Sequence, residues 1–158
     1  MAARDLDGLS DGVRAERVLQ LRQLVDRLEG QWLKELAGLD ARGAAGAEAD
    51  QQVGSTAAWL RNRLRMGAGT ASSAVRTARA VFRGPLAATA EALTGGELSP
   101  AHAQVLAHRT HSLPDHVTIQ AEPVLVEAAR HLDPTRLRRA LGHLLQVADP
   151  DGADRDRE

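Results

Sequence analysis

Seven apolar residues, Val18, Leu21, Val25, Leu28, Trp32, Leu36 and Leu39, follow one another at steps of three or four. That spacing is the stripe of one amphipathic helix, since side chains three and four apart share a helical face. It predicts a long N-terminal helix from about Gly12 to Arg42, with Ser10 and Asp11 as plausible caps. At 1.5 Å per residue such a helix is on the order of 45 Å long, more than one small bundle covers. The stripe is expected to pack on the rest of the chain. Its Val18 to Trp32 part keeps a heptad rhythm, so a homodimer through this helix is the second expectation.

With aromatics at only 2%, the core has to come from Leu, Val and Ala, which suit helix packing better than sheets. The expected fold is all-α. A chain of 158 residues suits one domain, which at this size buries about 68 to 70% of its unfolded surface. There is no cysteine, which excludes disulfides, thiolate metal sites and cysteine nucleophiles and favours a reducing, cytoplasmic setting. No apolar run approaches the roughly 20 residues of a membrane span. The start MAARDLDGLSDG has neither the basic nor the apolar region of a signal peptide.

After the long helix, residues 43–54 have no periodicity and read as a linker. Ser55 or Thr56 then caps a short helix to about Arg65, with Ala57, Leu60 and Leu64 on one face. Met66, Gly67, Ala68 and Gly69 form a turn. A second helix from Thr70 to Phe82 buries Ala71, Val75, Ala78 and Phe82, and Ser72, Arg76, Arg79 and Arg83 share its opposite, wet face. Further helices occupy residues 85–148. The first opens at Pro85 and stops at Gly95 and Gly96, the next starts at Ser99 and Pro100, and another starts at Pro114. Pro123 is expected to kink or split that one, and the last begins at Asp133 and Pro134 with Leu137, Leu141, Leu144 and Val147 inward. Residues 149–158 are a polar tail.

Charge is distributed unevenly along this frame. Residues 1–50 sum to −3, residues 51–90 to +6 and residues 91–158 to −4, within a net charge of −1. The segment Ser55 to Arg83 holds six arginines and no acid. Because arginine outnumbers lysine 19 to 1, a plain solvated face is one reading of it. The other is nucleic-acid contact, since a capped helix, a tight turn and a second helix bearing polar and arginine residues is how a helix-turn-helix offers a helix to DNA. The expected contacts are Arg61, Arg65, Arg76, Arg79 and Arg83 to phosphates, with Ser72, Ser73 and Thr77 hydrogen bonding near the start of the second helix.

Other chemistry is sparse. His102, His108 and His111 in AHAQVLAHRTH lack a neighbouring carboxylate at helical spacing and an HExxH pattern, so no metal site is expected. There are no paired carboxylates and no glycine-rich phosphate loop after a strand. The expectation is a non-catalytic domain without cofactor.

The ordered set STAAWLRNRLRM, AVRTARAV, LAATAEALTGGELSPAHAQVLAH, VEAARHLDPTRLRRAL and DPDGADRDRE resembles the DUF222 family, also called the 13E12 repeat family of actinobacteria. The likeness runs from about Leu19 to Glu158. It implies an N-terminal domain associated with an HNH endonuclease domain, although none of the residues here supplies that nuclease's His-Asn-His set. The run ending in GGELSPAHAQVL also resembles the helix-turn-helix region of ParB and KorB partition proteins. Relatives place Leu-Pro directly after the arginine-bearing helix, whereas this chain has Arg83, Gly84, Pro85 and Leu86.

Overall fold

The computed structural model describes residues 8–43 and 55–148, with side chains through His143. Within them the chain is helical, with no strand: α1 (Asp11–Ala41), α2 (Thr56–Leu64), α3 (Ala68–Arg83), α4 (Ala87–Gly95), α5 (Pro100–Thr110), α6 (Asp115–His131) and α7 (Pro134–Ala148). The expected all-α architecture and long first helix are both present. Most of the linker expected at 43–54, and all of the tail at 149–158, lie outside the described residues, as do the side chains of Leu144 and Val147.

Helix ends follow local capping chemistry. Ser10 and Ser55 cap α1 and α2 by accepting from the amides of Val13 and Ala58. Gly96, at φ +80°, closes α4 in the left-handed conformation that glycine adopts without a Cβ clash, and its amide and that of Glu97 bond back to Leu93 and Ala92. Ser99 and Pro100 start α5, where His102 completes a capping box: its Nδ1 accepts from the Ser99 amide at 3.4 Å, its own amide donates to Ser99 Oγ at 3.4 Å, and its Nε2 meets the Leu132 carbonyl at 2.8 Å. That histidine therefore ties the start of α5 to the end of α6.

Two cores share α4 and α5. On one side Leu33, Leu36 and Ala37 of α1 meet Leu60 of α2, Ala71, Val75, Ala78 and Val81 of α3, and Leu93 of α4. On the other, Leu98 and Leu106 pack with Val126 and Ala129 of α6 and Leu137 and Leu141 of α7. A buried glutamate joins the halves. Glu122 Oε1 of α6 accepts from the amide of Thr89 at 2.7 Å and from its hydroxyl at 2.8 Å. Since Leu86 at the cap position of α4 has no side-chain acceptor, a carboxylate 33 residues away does its work.

Five sequence expectations need correction. The stripe of α1 is not its core-facing side: Val18, Leu21, Val25 and Leu28 are 41 to 62% exposed, and the buried residues are Gly30, Leu33, Leu36 and Ala37. Leu36 alone of the seven-residue stripe is buried. A Cβ at Gly30 would come within 2.9 Å of the Leu93 carbonyl, so close approach of α1 to α4 depends on a residue without a side chain. Secondly, Leu64 is exposed at the end of α2, and Phe82 is only partly buried because Val81 takes the core position. Thirdly, the α2–α3 turn is Arg65–Gly67, and its left-handed residue is Arg65 at φ 54°, not a glycine. Finally, Pro123 sits inside α6 without dividing it, the helix running from Asp115 to His131. The first helix after α3 also starts at Ala87, two positions later than Pro85 suggests.

Candidate nucleic-acid interface

The arginine-rich segment folds as α2, a three-residue turn and α3. Neither helix contains an acidic residue. Ser72, Arg76, Arg79 and Arg83, at steps of four, three and four, form the exposed edge of α3, while Ala71, Val75, Ala78 and Val81 on the other side pack inward. On α2 and the turn, Arg61 and Arg65 are exposed as well. Arg63, outside the expected set, is equally exposed and belongs with them. Its position in RNRLR is the signal that points to it.

The expected contacts do not all remain available. Thr77 is 5% exposed, one position past Arg76 and so turned about 100° toward the interior; it cannot reach a nucleic acid. Ser73 is half-buried, and its hydroxyl accepts from Gln104 Nε2 of α5 at 2.6 Å. Both line a groove of about 960 Å³ between α1 and the first turns of α3 and α5, opposite Arg22, Glu29 and Trp32. Two of the three residues expected to hydrogen bond near the start of a reading helix, Ser73 and Thr77, thus face this groove and α5, while Ser72 stays exposed.

Arg79 has a partner inside the fold. Its Nε donates to Asp40 Oδ2 at 2.5 Å and its Nη2 to Asp40 Oδ1 at 2.8 Å, a two-pronged pair that the guanidinium fork favours. Thr56 of α2 donates to the same carboxylate at 2.6 Å. The Asp40 side chain is 8% exposed and that of Arg79 58%, so the acid is enclosed while the base still reaches solvent. The hydrogen bond from Arg79 holds the Asp40 carboxyl down at about 2, with Thr56 and the nearby charge of Arg83 acting in the same direction against burial. This junction clamps the end of α1 to α2 and α3. Arg61, Arg63, Arg65 and Arg76 make no ion pair among the described residues.

The other charged clusters lie elsewhere and hold one another. Arg130 joins Glu97 and Glu127, and the latter carboxyl is held below its ordinary range first by His131 and then by Arg130. Among the described residues no group of three or more His, Cys, Asp or Glu is placed to hold a metal, and no helix is long and apolar enough to cross a membrane.

Residues 12–158 match the family described as Domain of unknown function (DUF222). The chain belongs to the DUF222 family. The match covers every described helix from the first turn of α1 onward, so the arginine edge and the Asp40 clamp are both parts of the DUF222 domain in this chain. No curated protein and no solved structure matches the chain.

Proposed function

We propose that this DUF222 domain is a non-catalytic DNA-binding or DNA-positioning module that contacts phosphates through Arg61, Arg63, Arg65, Arg76 and Arg83. The observation that carries the reading is a pair of helices with exposed arginines, no carboxylate on either, and one acid nearby that is already taken by Arg79. The placement supports positioning rather than base reading. In a helix-turn-helix the first residues of the second helix reach base edges; here the first turns of α3 carry Gly69, Thr70 and Ser72, and the arginines fall in its later part. α3 also packs against α1, α2, α4 and α5, which leaves it one narrow free edge. In keeping with the family resemblance, the module would hold DNA for an HNH endonuclease domain in the cytoplasm of an actinobacterium.

Fluorescence anisotropy with a labelled duplex over a salt series tests this. Engagement of four or five phosphates gives a slope of log affinity against log salt of about −4. Arg76→Ala with Arg83→Ala should reduce the slope by about 2. Asp40→Asn, which removes the charge holding Arg79, should raise affinity. No binding at low salt, or binding untouched by the arginine pair, would overturn the reading.

A second role as a dimerisation or protein-interaction module is favoured by the bare apolar half of α1. The two roles are compatible, since helix-turn-helix proteins commonly bind DNA as dimers.

A further inference from the structure

The N-terminal half of α1 carries apolar surface that the described residues leave uncovered. Val18, Leu21, Leu24, Val25 and Leu28 are 60, 55, 50, 41 and 62% exposed, and Trp32, at 36%, continues the row toward the body. At 100° per residue these six fall within about 120° of one another, so they form a single stripe. The face that docks on the body, through Gly30, Leu33, Leu36 and Ala37, is centred on another side of the helix and shares only Leu36 with the line of the stripe. The stripe is therefore not a core face that has outrun its partner.

We infer that this stripe is a self-association surface, covered by the same stripe of a second copy of the chain. Four observations single out that occupant. Val18, Leu21, Val25, Leu28 and Trp32 alternate steps of three and four, the rhythm of a seam that interdigitates with another helix like itself, with Val and Leu at alternating seam positions as two-stranded coils prefer. From Asp11 to Trp32 the helix has four acidic and four basic residues, so two copies meet without net repulsion. Half-exposed side chains in this number present several hundred Å² of apolar area, on the order of the ~800 Å² per partner that a standard interface covers. Lastly, the segments at 44–54 and 149–158 are poorly suited to cover it: residues 149–158, DPDGADRDRE, hold only Pro150 and Ala153 as apolar side chains, and residues 44–54 only alanines and Val53.

The bare half is also built to stand as a helix before it pairs. Gln20 donates to Glu16 and Arg22 to Asp26, both at four-residue spacing. These contacts lie along α1 itself and leave the seam residues free to pack on another chain.

Leu19 provides an internal control. At 66% it is more exposed than any residue of the stripe, yet it points about 100° away from Val18 and lies off the seam. Multi-angle light scattering behind size exclusion, on the full chain without nucleic acid, should give twice the 16.9 kDa of one chain. Leu28→Glu, and Val18→Glu farther from the core, should each raise the dissociation midpoint about a hundredfold, as for a charge placed at an interface hot spot, with helical content and cooperative melting retained. Leu19→Glu should leave the mass unchanged. A wild-type monomer at 100 µM, on the order of a weak complex's working range, would overturn the inference. So would equal loss of mass in the Leu19 and Leu28 variants, or a folded Val18→Glu protein that remains fully dimeric. Because nucleic acid is absent from this experiment, its failure leaves the phosphate contacts untouched, and the anisotropy titration tests those separately.

Discussion

The two halves of α1 have similar apolar content and opposite surroundings. From Gly30 to Asp40 the helix is pressed into the body, with Leu33, Leu36 and Ala37 at 4, 4 and 2% exposure and Asp40 locked to Arg79. From Asp11 to Leu28 its leucines and valines face outward, and it is Gln23 and Arg27 that reach the body, at Gly96. Hydrophobic spacing is present in both halves. Small residues mark the docked half: Gly30 admits the Leu93 backbone, and Ala37 lies one helical repeat of seven residues further on. Periodicity thus says that a helix has an apolar face, and side-chain size says where a neighbour can come close.

Truncation should separate the halves most strongly. Leu33→Ala is expected to lower the unfolding free energy by about 2 to 5 kcal/mol, because it leaves a cavity in a packed core. Leu21→Ala, measured at low protein concentration, should change it by no more than about 0.5 kcal/mol, as for an exposed site. Urea denaturation followed by circular dichroism distinguishes them, and equal costs would erase the contrast between halves.

Glycine replacement sharpens the same contrast with a smaller effect. Gly30→Ala forces a methyl against the Leu93 carbonyl and should cost about 1 to 3 kcal/mol. Gly12→Ala, where nothing lies within 4 Å of the added methyl, should be neutral or stabilise by up to about 1 kcal/mol through helix propensity. Thermal melts of the two variants should move in different directions or at least differ clearly in size.

The Asp40 clamp predicts a pH dependence confined to the docked half. Its carboxyl titrates at about 2 when folded, against an ordinary 3.8, so its contribution is complete above about pH 4 and is lost as pH falls toward 2. Allowing for the exposure of Arg79, that contribution is about 1 to 2 kcal/mol. Asp40→Asn should flatten this part of the acid unfolding profile, and an unchanged profile would remove the clamp from the account.

Helix boundaries were legible wherever a local rule sets them. Ser10, Ser55, the Gly95–Gly96 pair, Ser99–Pro100 and Asp133–Pro134 each act through neighbours within a few residues. Long-range pairings were not legible. Asp40 and Arg79 are 39 positions apart, and Glu122 and Thr89 are 33 apart; nothing local distinguishes these acids from solvated ones. The arginine edge of α3 was readable because its spacing is helical and its segment lacks acids. Thr77 was misplaced because a buried threonine and an exposed one look the same in sequence, and only the packing of α3 against its neighbours turns that side chain inward.

Hydrogen exchange read by mass spectrometry at two protein concentrations tests the division of α1 most directly. Amides of residues 30–41 should show protection that is independent of concentration, set by unfolding of the body. Amides of residues 14–28 should exchange faster in dilute protein and become protected as concentration rises and a second copy covers the stripe. Equal protection of both halves at every concentration would contradict the account.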